Sequence, residues 1–249
     1  ALESLDYKIY IASEGKHETI LKEAIPNACF LPLRGYRIRY SKTSALLVFS
    51  LLLQLPKIVW SILYENKWLK EEAKKYNFDL IISDNRFGFF HKSITSVFIT
   101  HQLEIQTPFR WSTRLIQKIC YHFINKYAAC WVADMKASKN LSGVLANPSK
   151  LPSVPIWYMN CLSRLFEENI DPSISRPIKF LGIVSGPEPQ RAIFENILWN
   201  SGNELNYPFV IVAGMPDDKL YNKVTSKGNL YHHLSGKALA DQINDAEFI

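Results

Sequence analysis

Short apolar runs bounded by polar turns alternate along this chain with amphipathic stretches, and that alternation predicts parallel βαβ units. In the first part, Tyr7–Ala12, Cys29–Leu33, Asp79–Ser83, Ser96–Thr100 and Ala129–Ala133 read as strands. Gly15–Ala24 reads as a short helix. Ser112–Lys126 carries Leu115, Ile116, Ile119, Phe123 and Ile124 at helical spacing. The rhythm breaks over Asn140–Pro155, where Pro148, Pro152 and Pro155 stand among Ser, Asn and Gly, and this stretch reads as the approach to an inter-domain linker. It then restarts with strands at Ile178–Val184, Phe209–Ala213 and Leu230–His232, helices at Gln190–Asn200 and Lys237–Asn244, and a beginning strand at Glu247–Ile249. The expected fold class is therefore α/β, with two Rossmann-like halves at residues 1–162 and 163–249, the second incomplete. Ala1–Leu5 reads as the tail of a helix and Ala246–Ile249 as a strand just begun, so both ends are expected to be cut.

Ala45–Leu63 is apolar throughout, but its uncharged core, Thr43–Pro56, is shorter than the ~20 residues a bilayer span requires. Two readings stand. One is a buried helix kinked at Pro56. The other is an apolar patch dipping into a membrane surface, flanked by Arg34, Arg37, Arg39 and Lys42 on one side and Lys57 on the other.

Charge sharpens that choice. Net charge is +6, and Arg34–Lys75 alone holds nine Lys/Arg against three Glu, so the rest of the chain is neutral. A basic segment so confined points to an anionic partner, or to a solvated helix face. An aromatic-plus-basic strand pattern of the RRM kind is missing, so nucleic acid is not the expected partner. Hydrophobic residues make up 47% of the chain, enough for a buried core, which excludes a disordered protein. Cys29, Cys120, Cys130 and Cys161 form no C-x-x-C pair and sit in apolar contexts. They read as reduced, buried thiols of a cytoplasmic protein.

Open α/β sheets bind ligands beyond the carboxyl ends of their strands. Asp84, Asn85, Arg86 and Gly88 follow the strand at Asp79–Ser83; they form either a turn with an Asp84–Arg86 pair or an acceptor-binding loop. His101 and Gln102 follow Ser96–Thr100, where a histidine can bond a substrate or act as a base. Ser185-Gly186-Pro187-Glu188-Pro189-Gln190-Arg191 follows Ile178–Val184 and opens a helix. Its free amides and positive dipole end suit a diphosphate, although the loop matches neither Walker A nor G-x-G-x-x-G. Gly214 begins the turn after Phe209–Ala213 and could line the same cleft. No zinc spacing, H-E-x-x-H or D-x-D pair supplies metal ligands, so no metal or other cofactor is expected.

Three of these loops, in order, carry a family resemblance: SDNRFG at Ser83–Gly88, THQL at Thr100–Leu103 and SGPEPQR at Ser185–Arg191. The chain resembles the GT-B glycosyltransferases related to the UDP-N-acetylglucosamine transferase that acts on the lipid-linked muramyl-pentapeptide of peptidoglycan, and within them the predicted bacterial members. The resemblance implies two Rossmann-like domains facing a cleft. It implies an N-terminal acceptor-side domain lacking its first strand and glycine-rich loop, and a partial C-terminal donor domain. Ser185, Gly186, Gln190 and Arg191 would match the family's G-G-S-Q-G-A-R donor loop, with Pro187, Glu188 and Pro189 departing from it. His101 and Gln102 would match an H-E-Q-N segment. Asp84–Gly88 stands where the family has a glycine-rich acceptor loop, which implies a different acceptor.

The implied reaction is metal-independent transfer of a sugar, an N-acetylhexosamine by analogy, from a nucleotide diphosphate to a hydroxyl of a glycan or lipid-linked acceptor. Asp84 and His101 are the candidate bases. The implied location is cytoplasmic and peripheral, at the inner face of the membrane, through Arg34–Lys75. The rivals are a sugar-nucleotide epimerase or hydrolase of the same fold, and a non-enzymatic sugar-nucleotide-binding protein.

Overall fold

In a computed structural model, the alternating runs assemble into a mixed α/β chain built on parallel sheets. The structure describes residues 5–14, 18, 21–22, 24–36, 44–136, 140–160, 162, 176–186, 188–215, 222–234 and 236–249, with side chains in the long first helix described from Leu53 onward. The chain divides into two compact units, Gly35–Leu162 and a second that joins Ala1–Arg34 to Ser163–Ile249. Residues 1–34, read from sequence as part of the first half, thus group with the second. They carry β1 (Tyr10–Ser13) and β2 (Cys29–Pro32), a parallel pair forming its own small sheet.

Within Gly35–Leu162, α1 (Ser44–Lys75) precedes four parallel strands lying side by side in chain order. These are β3 (Leu80–Asp84), β4 (Thr95–Thr100), β5 (Ala129–Val132) and β6 (Ile156–Tyr158). The helix α2 (Arg110–Ile124) makes the crossover from β4 to β5. Alternate residues of a strand face opposite sides, so Cys130 and Val132 turn together into a core with Phe98, Leu103, Ile124, Tyr127 and Ala146.

Asn140–Pro155 leads up to the boundary between the two units at Leu162, and it is itself a packed segment. It holds a 3-10 turn at Gly143–Leu145 and buries Ala146, Pro148 and Pro152. The Pro155 carbonyl accepts the Cys130 amide at 2.9 Å and leads into β6, which pairs with β5. Proline masked that strand from sequence, yet Pro155 precedes its first residue, where the missing amide costs the ladder nothing.

The apolar run Ala45–Leu63 is helical, and from Leu53 onward it is only partly buried. It is the first part of a continuous 32-residue helix that contains Pro56. Ile62, Glu65 and Leu69 share its buried face, whereas Leu53, Trp60 and Leu63 are 67%, 59% and 62% exposed. A run apolar on all sides hides which face is buried; packing against the loop after β3, where Trp68 stacks on Phe89, chooses it. Among the described residues, no helix is long and apolar enough to cross a membrane.

The C-terminal sheet has the order β11-β7-β8-β10-β9, parallel except for the last pair. Its strands are β7 (Ile178–Ile183), β8 (Phe209–Val212), β9 (Lys223–Val224), β10 (Gly228–Tyr231) and β11 (Ala246–Phe248). All four residues of β8 are buried. Val210 and Val212 belong to a core with Leu239 and Ile243 of α4 (Gly236–Asn244). Phe209 and Ile211 belong to another with Leu198 and Trp199 of α3 (Gln190–Glu204). Helices on both faces explain why this strand is a continuous hydrophobic run. The order reverses at β7: α3 leads from it to β8 on one side, and α4 leads to β11 on the other. The two-residue β9 has no pattern a sequence reading could detect.

Candidate functional site

At the carboxyl end of β7, Val184 is buried and its amide donates to Val212 at 2.8 Å. The chain then surfaces. Ser185, Gly186, Glu188 and Gln190 are exposed, and Gly186 takes a φ of 123° that other residues rarely adopt. Pro187 lies outside the described residues. Pro189 caps α3 with no side-chain bond, so the first-turn amides of Gln190 and Arg191 lack intrahelical partners.

Arg191 is only 9% exposed, and its guanidinium faces inward rather than toward solvent. It donates to Glu188 Oε1 at 2.6 Å, to Glu195 Oε2 at 2.6 Å and to the Ala213 carbonyl at 3.3 Å. Glu188 Oε2 accepts the Ala192 amide at 3.4 Å, so a carboxylate of the chain itself already stands at this helix terminus. Gly214 is exposed with a φ of 63°, and a Cβ there would lie 2.5 Å from the Val184 carbonyl oxygen. Only glycine lets the turn after β8 rest on the end of β7. Met215 continues the lacing by donating its amide to His232 at the end of β10, at 2.8 Å.

The Gly35–Leu162 unit presents its own carboxyl edge. Asp84 ends β3 and is exposed; Asn85, also exposed, takes a φ of 54° and donates its amide to Ile99 at 3.0 Å. Register pairs Asp84 with Ile99, two residues before the exposed His101. The two candidate bases therefore leave neighbouring strands at one edge. Gln102 is bound locally: its amide donates to Thr100 Oγ1 at 3.0 Å and its Nε2 to the Glu104 carbonyl at 3.0 Å.

Arg86 does not pair with Asp84. Its Nη1 donates to Oε1 of the fully buried Glu65 of α1 at 2.7 Å. Glu65 Oε2 accepts the Tyr36 hydroxyl at 2.6 Å and the Gly88 amide at 3.3 Å. Asn66 adds donations to the carbonyls of Gly88 and Phe90 at 3.0 and 2.7 Å. Gly88 lies so close to α1 that a Cβ would collide with the Ile62 carbonyl oxygen. Arg86 and Gly88 thus bind the loop to the helix, while Asp84 and Asn85 remain at the open edge. Burial raises the Glu65 carboxyl above its usual value, opposed by Tyr36 and Arg86. Burial beside Glu65 also pushes the Tyr36 hydroxyl up.

Sequence reasoning missed Glu65 and Asp134. The signal for Glu65 was a carboxylate inside an apolar helical run. Asp134 follows the end of β5, is buried, and accepts the amides of Met135, Leu141 and Ser142 at 2.6, 2.9 and 2.9 Å. Those amides, Leu141 foremost, hold its carboxyl down at about 2. Its signal was an acidic residue directly after a buried strand.

No protein-family model matches the chain, and neither does any curated protein. Among the described residues, no group of three or more His, Cys, Asp or Glu is placed to hold a metal ion. The edge at β7 offers a hydroxyl, a glycine backbone and two helix amides, all hydrogen-bond donors suited to ligand oxygens. The edge at β3 and β4 offers an exposed carboxylate and an imidazole, suited to proton transfer.

Proposed function

We propose that the chain belongs to a glycosyltransferase of the GT-B class that takes its sugar from a nucleotide diphosphate. The observation that carries this reading is the place of the Ser185–Gln190 loop. It leaves the carboxyl end of β7, the strand at which sheet order reverses, and in α/β sheets ligands favour such switch points. Ser185, the Gly186 backbone and the amides of Gln190 and Arg191 bind the donor's diphosphate. They stabilise the charge that grows on it as the sugar–oxygen bond breaks. The Arg191 side chain, neutralised by Glu188 and Glu195, is a positioning group: it fixes the loop against Ala213 and so holds Gly214 in place.

On the acceptor side, Asp84 or His101 removes the proton from the attacking hydroxyl, with Asn85 and Gln102 beside them. The reaction uses no metal. A lipid-linked acceptor fits the exposed Leu53, Trp60 and Leu63 of α1, which would rest with Lys57 on an anionic membrane surface.

The test is thermal unfolding of the protein with UDP-, GDP- and dTDP-sugars. One nucleotide class should stabilise it, by about 2.7 kcal/mol at a ligand concentration of about 100 Kd. Ser185→Ala should weaken that binding roughly threefold to tenfold, the worth of one hydrogen bond. A protein indifferent to all three classes is not a nucleotide-sugar enzyme.

A further inference from the structure

At the opposite, amino-terminal edge of the four-stranded sheet lies a concave site of about 680 Å³, lined by Asn66, Lys70, Phe90, His91, Lys92 and Lys126. Three separate elements bring the charges together. Lys70 comes from the end of α1, His91 and Lys92 from the segment entering β4, and Lys126 from the segment between α2 and β5. Among the described residues, no acidic residue lines the site and none of the three lysines forms an ion pair. The nearby acids of α1 are already engaged, Glu71 with Lys74 at 3.5 Å and Glu72 with Lys75 at 2.8 Å.

The basin is also ordered for binding. Asn66 holds the Phe90 carbonyl at 2.7 Å. Lys126 is fixed over the rings of Phe90 and Phe123, 5.3 and 4.9 Å from their centroids. The Ser93 amide donates to His91 Nδ1 at 3.3 Å, and a backbone amide can only donate. Neutral His91 therefore carries its proton on Nε2, as a donor. Three uncompensated ammonium groups and an imidazole N–H around one hollow match a group with several anionic oxygens.

We propose that this basin binds a phosphate group. The phosphate belongs either to a soluble phosphorylated compound or to a lipid headgroup. The proposal does not depend on the donor reading, because the basin lies at the other edge of a different sheet from the Ser185 loop.

The test titrates the whole protein with inorganic phosphate and, separately, with phosphatidylcholine vesicles containing phosphatidic acid. The Lys70→Gln/Lys92→Gln/Lys126→Gln variant is compared with a control carrying Lys118→Gln, Lys136→Gln and Lys150→Gln, which has the same charge. The expected result is phosphate binding weakened at least about tenfold in the basin variant and less than about twofold in the control. A parallel loss of vesicle binding assigns the phosphate to a headgroup; unchanged vesicle binding assigns it to a soluble compound. Equal losses in both variants, or no phosphate binding up to about 10 mM, overturn the proposal. Melting temperature checks that each variant folds. The response to nucleotide-sugars should survive in the basin variant, which separates failure here from failure of the donor site.

Discussion

A buried carboxylate is costly unless its oxygens are partnered, and Glu65 is partnered by a guanidinium, a phenol and an amide. Glu65→Ala would leave Arg86 and Tyr36 without that partner. It should lower stability by about 3 kcal/mol in urea unfolding, the scale for breaking a buried pair; a loss within error would mean the cluster relaxes into water. Asp134 makes a pH prediction. Its folded carboxyl titrates at about 2, below the ordinary value of 3.8. Its contribution is therefore present above pH 3.8 and lost as pH falls through about 2. Asp134→Asn should flatten that part of the acid-unfolding curve, and an unaltered curve would assign acid lability elsewhere. Burial lifts the thiols of Cys120 and Cys130 to about 11 and 12, so iodoacetamide at pH 8 should label both slowly until the protein unfolds. Asp84 and His101 were legible as candidates because each follows an apolar run. Glu65 and Asp134 were not, because the partners of Glu65 lie 21 to 29 residues away and those of Asp134 are loop amides.

The elements tell a similar story. Runs with clear period-2 or helical spacing, such as Ser96–Thr100 and Ser112–Lys126, become β4 and α2 with ends shifted by one or two residues. The strands missed fall where packing overrides local signal: β6 behind its prolines and the tiny β9. The turn after β8 belongs to this scale, since its conformation is set by the strand beside it. Gly214→Ala must adopt a left-handed φ against the Val184 carbonyl. It should cost about 2 kcal/mol of stability and blunt the thermal response to nucleotide-sugars. Stability lost with the ligand response intact would place the donor away from this turn.

For the molecule as a whole, hydrogen exchange separates the two units. A saturating nucleotide-sugar should slow exchange over residues 184–192 and 213–215 while leaving β3 unchanged, because the donor loop belongs to the C-terminal sheet. Protection confined to the Gly35–Leu162 unit would reassign the donor to the other sheet. The division itself was only partly visible in the sequence. The break near Leu162 coincides with a composition change, but the grouping of residues 1–34 with the C-terminal unit depends on contacts between segments more than a hundred residues apart.

By itself the sequence determined the alternation of strands and helices, the apolar character of α1 and the loops that follow β3, β4 and β7, because these follow from spacing over a few neighbouring residues. Tertiary structure alone decided which strand lies at the reversal of sheet order, that Arg86 and Arg191 turn inward to glutamates, and that three lysines from separate elements ring one hollow. Those outcomes depend on which segments pack together, and local periodicity does not encode that.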